Sequence, residues 1–360
     1  MPKPLIHAKA EELQLPLTIG YSGYSINNLG TADRRRLLYW AAVRGHKIVK
    51  ISDSSADVRV ITSSSDLEFW RKHKSNVPLV LDVVDGLLAE KSPFKDYLRA
   101  VSSSSKFGLS KMRSTQFSKL ITEVAQKSNS VICSCREQSV EWNARGVRPH
   151  EILDFHEEFP EIPNPKRPSM ETINLFWEGL PVTLNALSNL SGIFEDNKDK
   201  IYHLNLLTQK KSFKFKNRFV PISTSDLVTS QVKSTNLKFK VWDWSVANCA
   251  AIAQRSHLGV IPLSLSTGYH RLKAENRLLI MWRLGLNTLT SPLDSYSRVM
   301  KSADIDGICF TNSDWSEKHK TILNSEDLRL ENLEKARSYL SQNHNREILL
   351  KKWDSVFESL

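Results

Sequence analysis

The sequence predicts an α/β protein built from two Rossmann-like domains that face each other across a cleft. Short apolar segments rich in β-branched residues alternate with helical segments, which is typical of parallel sheets covered on both faces. A chain of 360 residues is also long for a single core. Residues 159–168 contain four prolines in ten positions, and neither helices nor central strands tolerate such a density. We therefore expect a first domain over 1–160, a linker over 161–168 and a second domain over 169–340.

The first domain opens with a predicted strand at 17–20, followed by a helix at 32–43. Gly45 comes just after that helix, where glycine commonly ends one. Further strands are predicted at 46–51, 58–61, 77–84 and 130–134.

The second domain repeats this alternation. Strands are predicted at 173–177, 201–207, 237–242, 258–262, 289–291 and 307–310, and helices at 184–194 and 246–255 and shortly after residue 273. The tail over 341–360 is predicted to be helical. Its apolar residues recur at helical spacing and must pack on another apolar surface; they are Leu349, Trp353, Val356 and Phe357.

The net charge of +11 leaves two interpretations open. It indicates an anionic partner, such as an acidic membrane surface or a phosphorylated substrate, or simply a basic solvated surface. The densest basic segment, 210–218, alternates aromatic and cationic residues, as a nucleic-acid-binding strand does. An exposed hairpin with a lysine-rich outer face explains it as well. We favour the hairpin and expect no specific nucleic acid.

The same composition argues against several classes of protein. No run of about 18 apolar residues predicts a membrane-spanning helix, and the first residues lack the apolar segment of a signal peptide. The four scattered cysteines predict neither disulfides nor a metal site. We expect a cytoplasmic protein that uses neither a metal nor a bound cofactor.

The most informative feature is the predicted helix start around Lys273, Glu275, Asn276 and Arg277. Free backbone N–H groups and a partial positive charge attract anions to helix N-termini, and Lys273 and Arg277 add full charges. This pattern favours a nucleotide diphosphate. A solvated helix end, in which Glu275 offsets the two cations, is the alternative.

Aromatic and glycine residues near strand ends supply further candidates for donor binding. Trp242 and Trp244 flank Asp243 just after a predicted strand, where an aromatic ring can stack on a nucleobase. Burial in the core is an equally good interpretation. Gly23 and Tyr24 lie in the first strand-to-helix loop, although their pattern lacks the glycine fingerprint of dinucleotide-binding proteins.

Asp85 and His156 are the candidate catalytic residues. Asp82 and Asp85 end the strongest strand of the first domain, and a carboxylate in an apolar strand is costly without a hydrogen bond. We therefore expect at least one of them at the cleft, with helix capping as the alternative for Asp85. His156 is a potential general base or an ordinary surface histidine.

Four segments resemble glycosyltransferases of the GT-B fold, in particular the bacterial group-1, family-4-like enzymes that build surface polysaccharides. They are residues 80–86, 174–179, 258–263 and 273–291. The resemblance implies that the second domain binds a nucleotide sugar, that the first binds the acceptor, and that the final helix crosses back to the first domain. It also implies that Asp85 contacts the sugar or acts as a base, and that Glu275 forms hydrogen bonds with ribose or sugar hydroxyls.

The sequence thus predicts a metal-independent glycosyltransferase. Its expected partners are a nucleotide sugar, a saccharide or lipid-linked saccharide acceptor, and an anionic membrane surface that the protein contacts peripherally. The alternatives are a nucleotide-sugar epimerase of the same fold and a non-catalytic protein that binds carbohydrate or nucleic acid.

Overall fold

The computed structural model describes residues 16–25, 30–89, 92–105, 116–162, 170–213, 220–265 and 271–360. These residues form two separate parallel sheets and one short antiparallel pair of strands. The predicted α/β class with two parallel-sheet units is confirmed.

The first sheet has six parallel strands in the order β2-β1-β3-β4-β5-β6. The central strand β4 is buried at all five positions because β3 and β5 flank it and helices cover both faces. The strands are β1 (Thr18–Ser22), β2 (Lys47–Lys50), β3 (Val58–Thr62), β4 (Leu79–Val83), β5 (Ser130–Cys133) and β6 (His150–Glu151). The α-helices are α1 (Thr31–Arg34), α2 (Leu37–Arg44), α3 (Leu67–Lys72), α4 (Pro93–Ser105), α5 (Phe117–Lys127) and α6 (Arg136–Asn143).

The single helix predicted at 32–43 is wrong in one respect, because the structure contains two helices there. The break falls at Arg35 and Arg36. Arg36 leaves the helical conformation, and its fully buried guanidinium enters the core to pair with Asp82. Periodicity alone does not reveal an arginine that is directed inward.

The second sheet has five parallel strands in the order β11-β8-β7-β12-β13. The strand predicted at 307–310 is wrong: Ile308 forms only an isolated bridge to Thr290. The strands of this half, with the antiparallel pair β9 and β10, are β7 (Thr172–Glu178), β8 (Ile201–Leu207), β9 (Lys211–Phe213), β10 (Val220–Ser223), β11 (Leu237–Trp242), β12 (Leu258–Ile261) and β13 (Thr288–Thr290).

The helices of the second half cover both faces of its sheet. The helix predicted at 184–194 is mostly of the 3-10 type, over Pro181–Leu190, and only its end is α-helical. The α-helices are α7 (Ser191–Glu195), α8 (Thr224–Gln231), α9 (Val246–Arg255), α10 (Asn276–Arg283), α11 (Asp294–Ser302), α12 (Asn312–Asn324), α13 (Glu326–Asn343) and α14 (Arg346–Glu358).

The basic segment at 210–218 lies in the predicted hairpin. Strands β9 and β10 pair antiparallel, while residues 214–219 between them are outside the described residues. Most of the predicted linker is also outside, since residues 163–169 are not described.

Helix α14 packs on the first sheet rather than on the second. Leu349, Trp353 and Val356 join the core cluster formed by strands β1, β3 and β4. The Trp40 ring lies 4.3 Å from the Phe357 ring, and its Nε1 donates to Asp354 at 2.7 Å. The apolar stripe seen in the sequence therefore completes the core of the first domain. In the part of the chain that is described, no helix combines the length and the apolar character that crossing a membrane requires.

Candidate functional site

The two domains contact each other where the chain leaves β4 and where it approaches helix α10. A Cβ atom on Gly86 would lie 2.5 Å from Leu272 Cβ, so glycine is needed for this close approach. The Gln138 amide of the first domain donates to Val84 O at 2.9 Å and to Leu272 O at 2.8 Å. One neutral side chain thereby joins the residue before Asp85 to the residue before Lys273.

Lys273 lies in the cleft between charged groups of both domains. Burial and the neighbouring charge of Arg277 lower the pKa of the Lys273 ammonium to about 8, while Asp85 and Glu178 act in the opposite direction. Lys273 is half-buried, whereas Asp85 is exposed. The structure thus brings the predicted donor-binding Lys273 together with the predicted catalytic Asp85.

Arg277 completes this group from the first turn of α10. Its Nε lies 3.6 Å from Glu178 Oε2, and its guanidinium lies 5.8 Å from the centre of the Trp177 ring. Among the described residues, its buried Nη1 has no hydrogen-bond partner. A Cβ on Gly179 would come within 2.5 Å of Arg277 Nη2. We call Asp85, Glu178, Lys273 and Arg277 the cleft cluster.

Glu178 was missed as a site residue in the sequence. The signal was present, because Glu178 and Gly179 close a strong strand within one of the segments that carry the resemblance. Trp244 Nε1 donates to Glu178 Oε1 at 2.9 Å, which places Trp244 beside the cleft cluster.

Trp244 also contacts arginines of the first domain, whereas Trp242 binds a residue of its own domain. The guanidinium groups of Arg34 and Arg35 lie 5.8 and 5.6 Å from the Trp244 ring centre, and both arginines pair with Glu158. Trp242 Nε1 instead donates to Asn205 Oδ1. The structure therefore separates the two predicted stacking residues.

Glu275 is buried in the domain interface. Glu275 occupies the N-cap position of α10, but its side chain does not form a capping hydrogen bond. Its Oε1 accepts from Arg298 at 2.9 Å, and Arg298 binds Glu137 of the first domain through two contacts at 2.8 and 3.1 Å. Burial raises the pKa of the Glu275 carboxyl. This environment makes Glu275 a contact between the domains.

The structure brings Asn276 and His156 into contact. His156 is fully buried, with its Nε2 3.1 Å from Asn276 Oδ1 and its ring 4.3 Å from the His344 ring. Burial lowers the pKa of His156 well below its usual value. The alternative of a surface histidine is therefore wrong. A buried, neutral imidazole with a lowered pKa is also a weak general base.

Tyr24 anchors the first strand-to-helix loop to the end of β4. Its hydroxyl donates to Asp82 O at 2.7 Å and accepts from Val84 N at 3.1 Å, and burial raises its pKa well above the usual value. Gly23 precedes it and is partly exposed. Asp33, which the sequence did not single out, accepts from Tyr24 N and from Ser25 N, so it shapes the loop.

A second group of charges lies inside the first domain. Arg36 donates twice to Asp82, at 3.0 and 2.6 Å, and also to Asp154 Oδ1 and Ile152 O. Arg36 and Asp82 are wholly inaccessible to solvent. We call Arg36, Asp82 and Asp154 the buried cluster. At least one of Asp82 and Asp85 was expected at the cleft; Asp82 belongs to the buried cluster, and Asp85 belongs to the cleft cluster.

In the described ranges, one group of side chains has atoms close enough to hold a metal ion. One ligand atom from each of Cys135, Glu137 and Glu275 lies within 4.8 Å of the others. Arg298 already binds both carboxylates, and burial raises the pKa of the Cys135 thiol. A metal would have to displace Arg298 and deprotonate this thiol, so these residues fit a metal poorly.

Three solved structures are similar to this chain over most of its length. A point mutant of S. aureus TarM, in complex with fondaparinux, alpha-GlcNAc-glycerol and UDP, superposes with a TM-score of 0.58 at 13% identity, over 83% of this chain and 55% of TarM. A second TarM structure gives 0.56 at 13% identity, over 83% of this chain and 54% of that one. WaaG, described as a glycosyltransferase involved in lipopolysaccharide biosynthesis, gives 0.53 at 13% identity, over 95% of this chain and 99% of WaaG.

These similarities establish the fold. The chain has the GT-B architecture of two Rossmann-like domains with C-terminal helices, as the sequence resemblance implied. It spans about half the length of TarM. No protein-family model matches the chain, and no curated protein matches it either.

Proposed function

We propose that this protein is a glycosyltransferase that moves a sugar from a nucleotide-sugar donor to a saccharide or glycolipid acceptor in surface-polysaccharide biosynthesis. The observation that carries the proposal is the position of two cations in the cleft near Asp85: Lys273 lies just before α10 and Arg277 in its first turn. Two cations beside a helix N-terminus suit the two phosphates of a nucleotide. The fold shared with UDP-bound TarM and with WaaG supports the same substrate class.

The cleft cluster supports a division of roles. Lys273 and Arg277 neutralise the negative charge that develops on the leaving diphosphate, which is how a protein without a metal accelerates such a transfer. Arg277 has an unpartnered Nη1 for this purpose among the described contacts. Asp85, which is exposed on the opposite side of the cleft, is placed to contact the sugar or to accept the proton of the acceptor hydroxyl.

The binding test is calorimetric titration of the intact protein with UDP, GDP and ADP near pH 7. We expect one diphosphate to bind, and Lys273→Ala or Arg277→Ala to weaken that binding by about ten-fold or more, the size of a lost charge-assisted hydrogen bond. Lys301→Ala is the matched control, because Lys301 is an exposed lysine of the same domain on α11. Absence of binding by all three nucleotides, or equal loss in the control, contradicts the proposal.

Product analysis separates the alternatives. A transferase requires an acceptor, whereas an epimerase converts the nucleotide sugar alone. A non-catalytic binding protein turns over no nucleotide sugar, and if it binds nucleic acid its affinity falls steeply with salt.

We further propose a cytoplasmic protein that contacts an anionic membrane peripherally through α4. Phe94, Tyr97 and Leu98 are exposed on this helix by 68, 41 and 39%, and Lys95 is exposed beside them. An amphipathic helix of this type binds lipid surfaces. Co-sedimentation with anionic but not neutral vesicles, lost in Phe94→Ser, is the expected result; sedimentation with neither contradicts it.

The domain limits predicted above are proposed unchanged. Residues 1–160 and 169–340 each contain one parallel sheet, and 341–360 form the tail that includes α14. Limited proteolysis is expected to cut first within 161–168 and to give two fragments on a denaturing gel; a first cut elsewhere contradicts these limits.

A further inference from the structure

Two strands of the second sheet carry polar side chains on one face. In β8, His203 and Asn205 alternate with apolar residues, and in β11 Lys238 and Lys240 do the same. Successive residues of a strand point to opposite faces. The apolar set packs into the core on the other face of the sheet and comprises Tyr202, Leu204, Leu206, Leu237, Phe239 and Val241.

The register of the strands aligns the polar set. Lys238 pairs with His203, and His203 pairs in turn with Asn174 of β7. Lys240 pairs with Asn205 in the next row of the same face. Two rows of polar side chains therefore cross this edge of the sheet.

These side chains line a cavity of about 340 Å³. Arg255 of α9 and Trp242 form further walls, so the cavity contains three cationic residues with Lys238 and Lys240. No aspartate or glutamate is among its described lining residues. The Lys240 ammonium lies 3.7 Å from the centre of the Trp242 ring, and Asn205 fixes the indole through its Nε1.

An edge strand with outward lysines explains only part of this arrangement. Exposed lysines protect sheet edges from pairing with other chains, and Lys238 and Lys240 lie on the edge strand β11. His203 and Asn205 lie on the inner strand β8, where parallel sheets normally carry apolar residues. His203 and Asn174 are half-exposed, so their polar groups are open to water or to a ligand in the cavity.

The charge of the cavity indicates the sign of that ligand. Three cations without a carboxylate repel one another, and a concave surface concentrates their field. Lysine and arginine are the side chains that bind phosphate most often. The volume falls in the range of about 300–1,000 Å³ that is typical of small-molecule sites.

We propose that this cavity binds the phosphate group of a small phosphorylated ligand. Lys238, Lys240 and Arg255 contact the phosphate, and the Asn174 and Asn205 amides are placed to bind the remainder of the ligand. The cavity shares no residue with the cleft cluster. The site is therefore distinct from the proposed nucleotide site, and its existence does not depend on transferase activity.

The test follows the indole N–H signal of Trp242 by NMR, assigned with Trp242→Phe. Inorganic phosphate, inorganic pyrophosphate and glucose 6-phosphate are titrated separately into full-length Lys273→Ala protein, in which anion binding at the cleft cluster is expected to be weaker. We expect saturable shifts of the Trp242 signal with at least one of these probes. Tighter binding of glucose 6-phosphate than of inorganic phosphate identifies a phosphorylated sugar as the ligand, and equal binding identifies free phosphate.

Charge variants provide the decisive comparison. Lys238→Ala and Arg255→Ala should each weaken binding by about ten-fold, because both residues are exposed and their loss leaves the core intact. Lys320→Ala removes an exposed lysine from α12, on the opposite face of the sheet, and should leave the affinity unchanged. No shift of the Trp242 signal with any probe, or equal affinity in all variants, overturns the proposal. Failure of UDP to bind the cleft would leave this result unaffected.

Discussion

The buried cluster and the cleft cluster differ in how completely their charges are satisfied. Both begin at the end of the same strand, since β4 supplies Asp82 to one and the residues after it supply Asp85 to the other. In the buried cluster, Arg36 is inaccessible to solvent and bonds four acceptor atoms. In the cleft cluster, the Arg277–Glu178 contact is 3.6 Å long and Arg277 Nη1 lacks a described partner.

This difference distinguishes charged groups that stabilise the fold, such as Arg36, from charged groups that are available to bind a ligand, such as Arg277. A buried ion pair must bond fully, because its desolvation is otherwise uncompensated. An incompletely paired cation in a cleft has capacity for a further anion. Three predictions test this comparison, and they are ordered from the largest expected effect on stability or binding to the smallest.

The largest effect is expected from breaking the buried cluster. Asp82→Ala leaves the Arg36 charge without its main partner, so the free energy of unfolding should fall by about 3–5 kcal/mol. Urea denaturation followed by circular dichroism measures this. Asp85→Ala is the control on the same strand end, and as an exposed position it should change stability by about 0.5 kcal/mol or less. Equal losses in the two variants would remove the distinction between the clusters.

An intermediate effect is expected from the titration of Lys273. The ammonium is charged below its pKa of about 8, so nucleotide diphosphate binding should weaken as the pH rises through that value. Loss of one charge-assisted contact corresponds to about 1.5–3 kcal/mol of binding free energy. Calorimetric titration from pH 6 to about 9.5 measures the change, and Lys273→Arg should abolish it, because arginine stays charged.

The same titration acts on stability with the opposite sign. Above pH 8, unfolded Lys273 still binds the proton that the folded state releases, so Lys273 makes the unliganded protein more stable as the pH rises toward the usual lysine pKa. Asp85→Asn removes a charge that raises the Lys273 pKa, and the midpoint of binding should move to lower pH. A pH-independent affinity would show that Lys273 does not contact the diphosphate.

The smallest effect is expected from Gln138, which joins the two sides of the cleft without charge. Gln138→Ala removes the hydrogen bonds to Val84 O and Leu272 O, and stability should fall by about 1 kcal/mol. Nucleotide affinity should fall several-fold as Lys273 and Asp85 lose their fixed spacing. Gln138→Glu keeps an acceptor for Ser134 N but cannot donate to the two carbonyls, so it should behave like alanine. Wild-type affinity in both variants would show that Gln138 does not set this spacing.

Sequence reasoning predicted the elements that have strong local signals. Among the described residues, ten of the thirteen strands are predicted in the correct place because short apolar segments are bounded by turns, and the α10 start was found because cations are unusual there. It missed features that depend on contacts between distant residues. Arg36 interrupts a segment with helical periodicity to reach Asp82. Glu275 lies between two cations in the sequence and was predicted to bind a ligand, but it is buried against Arg298 of another helix. Gln138 has no local signal, since its role depends on two carbonyls from different domains.

The packing of α14 on the first sheet has a consequence for biosynthesis. A nascent chain exposes the face of β1, β3 and Trp40 until residues 346–358 have left the ribosome. The first domain to be translated is therefore the last to finish its core, and its unfinished surface is a natural target for chaperones during synthesis.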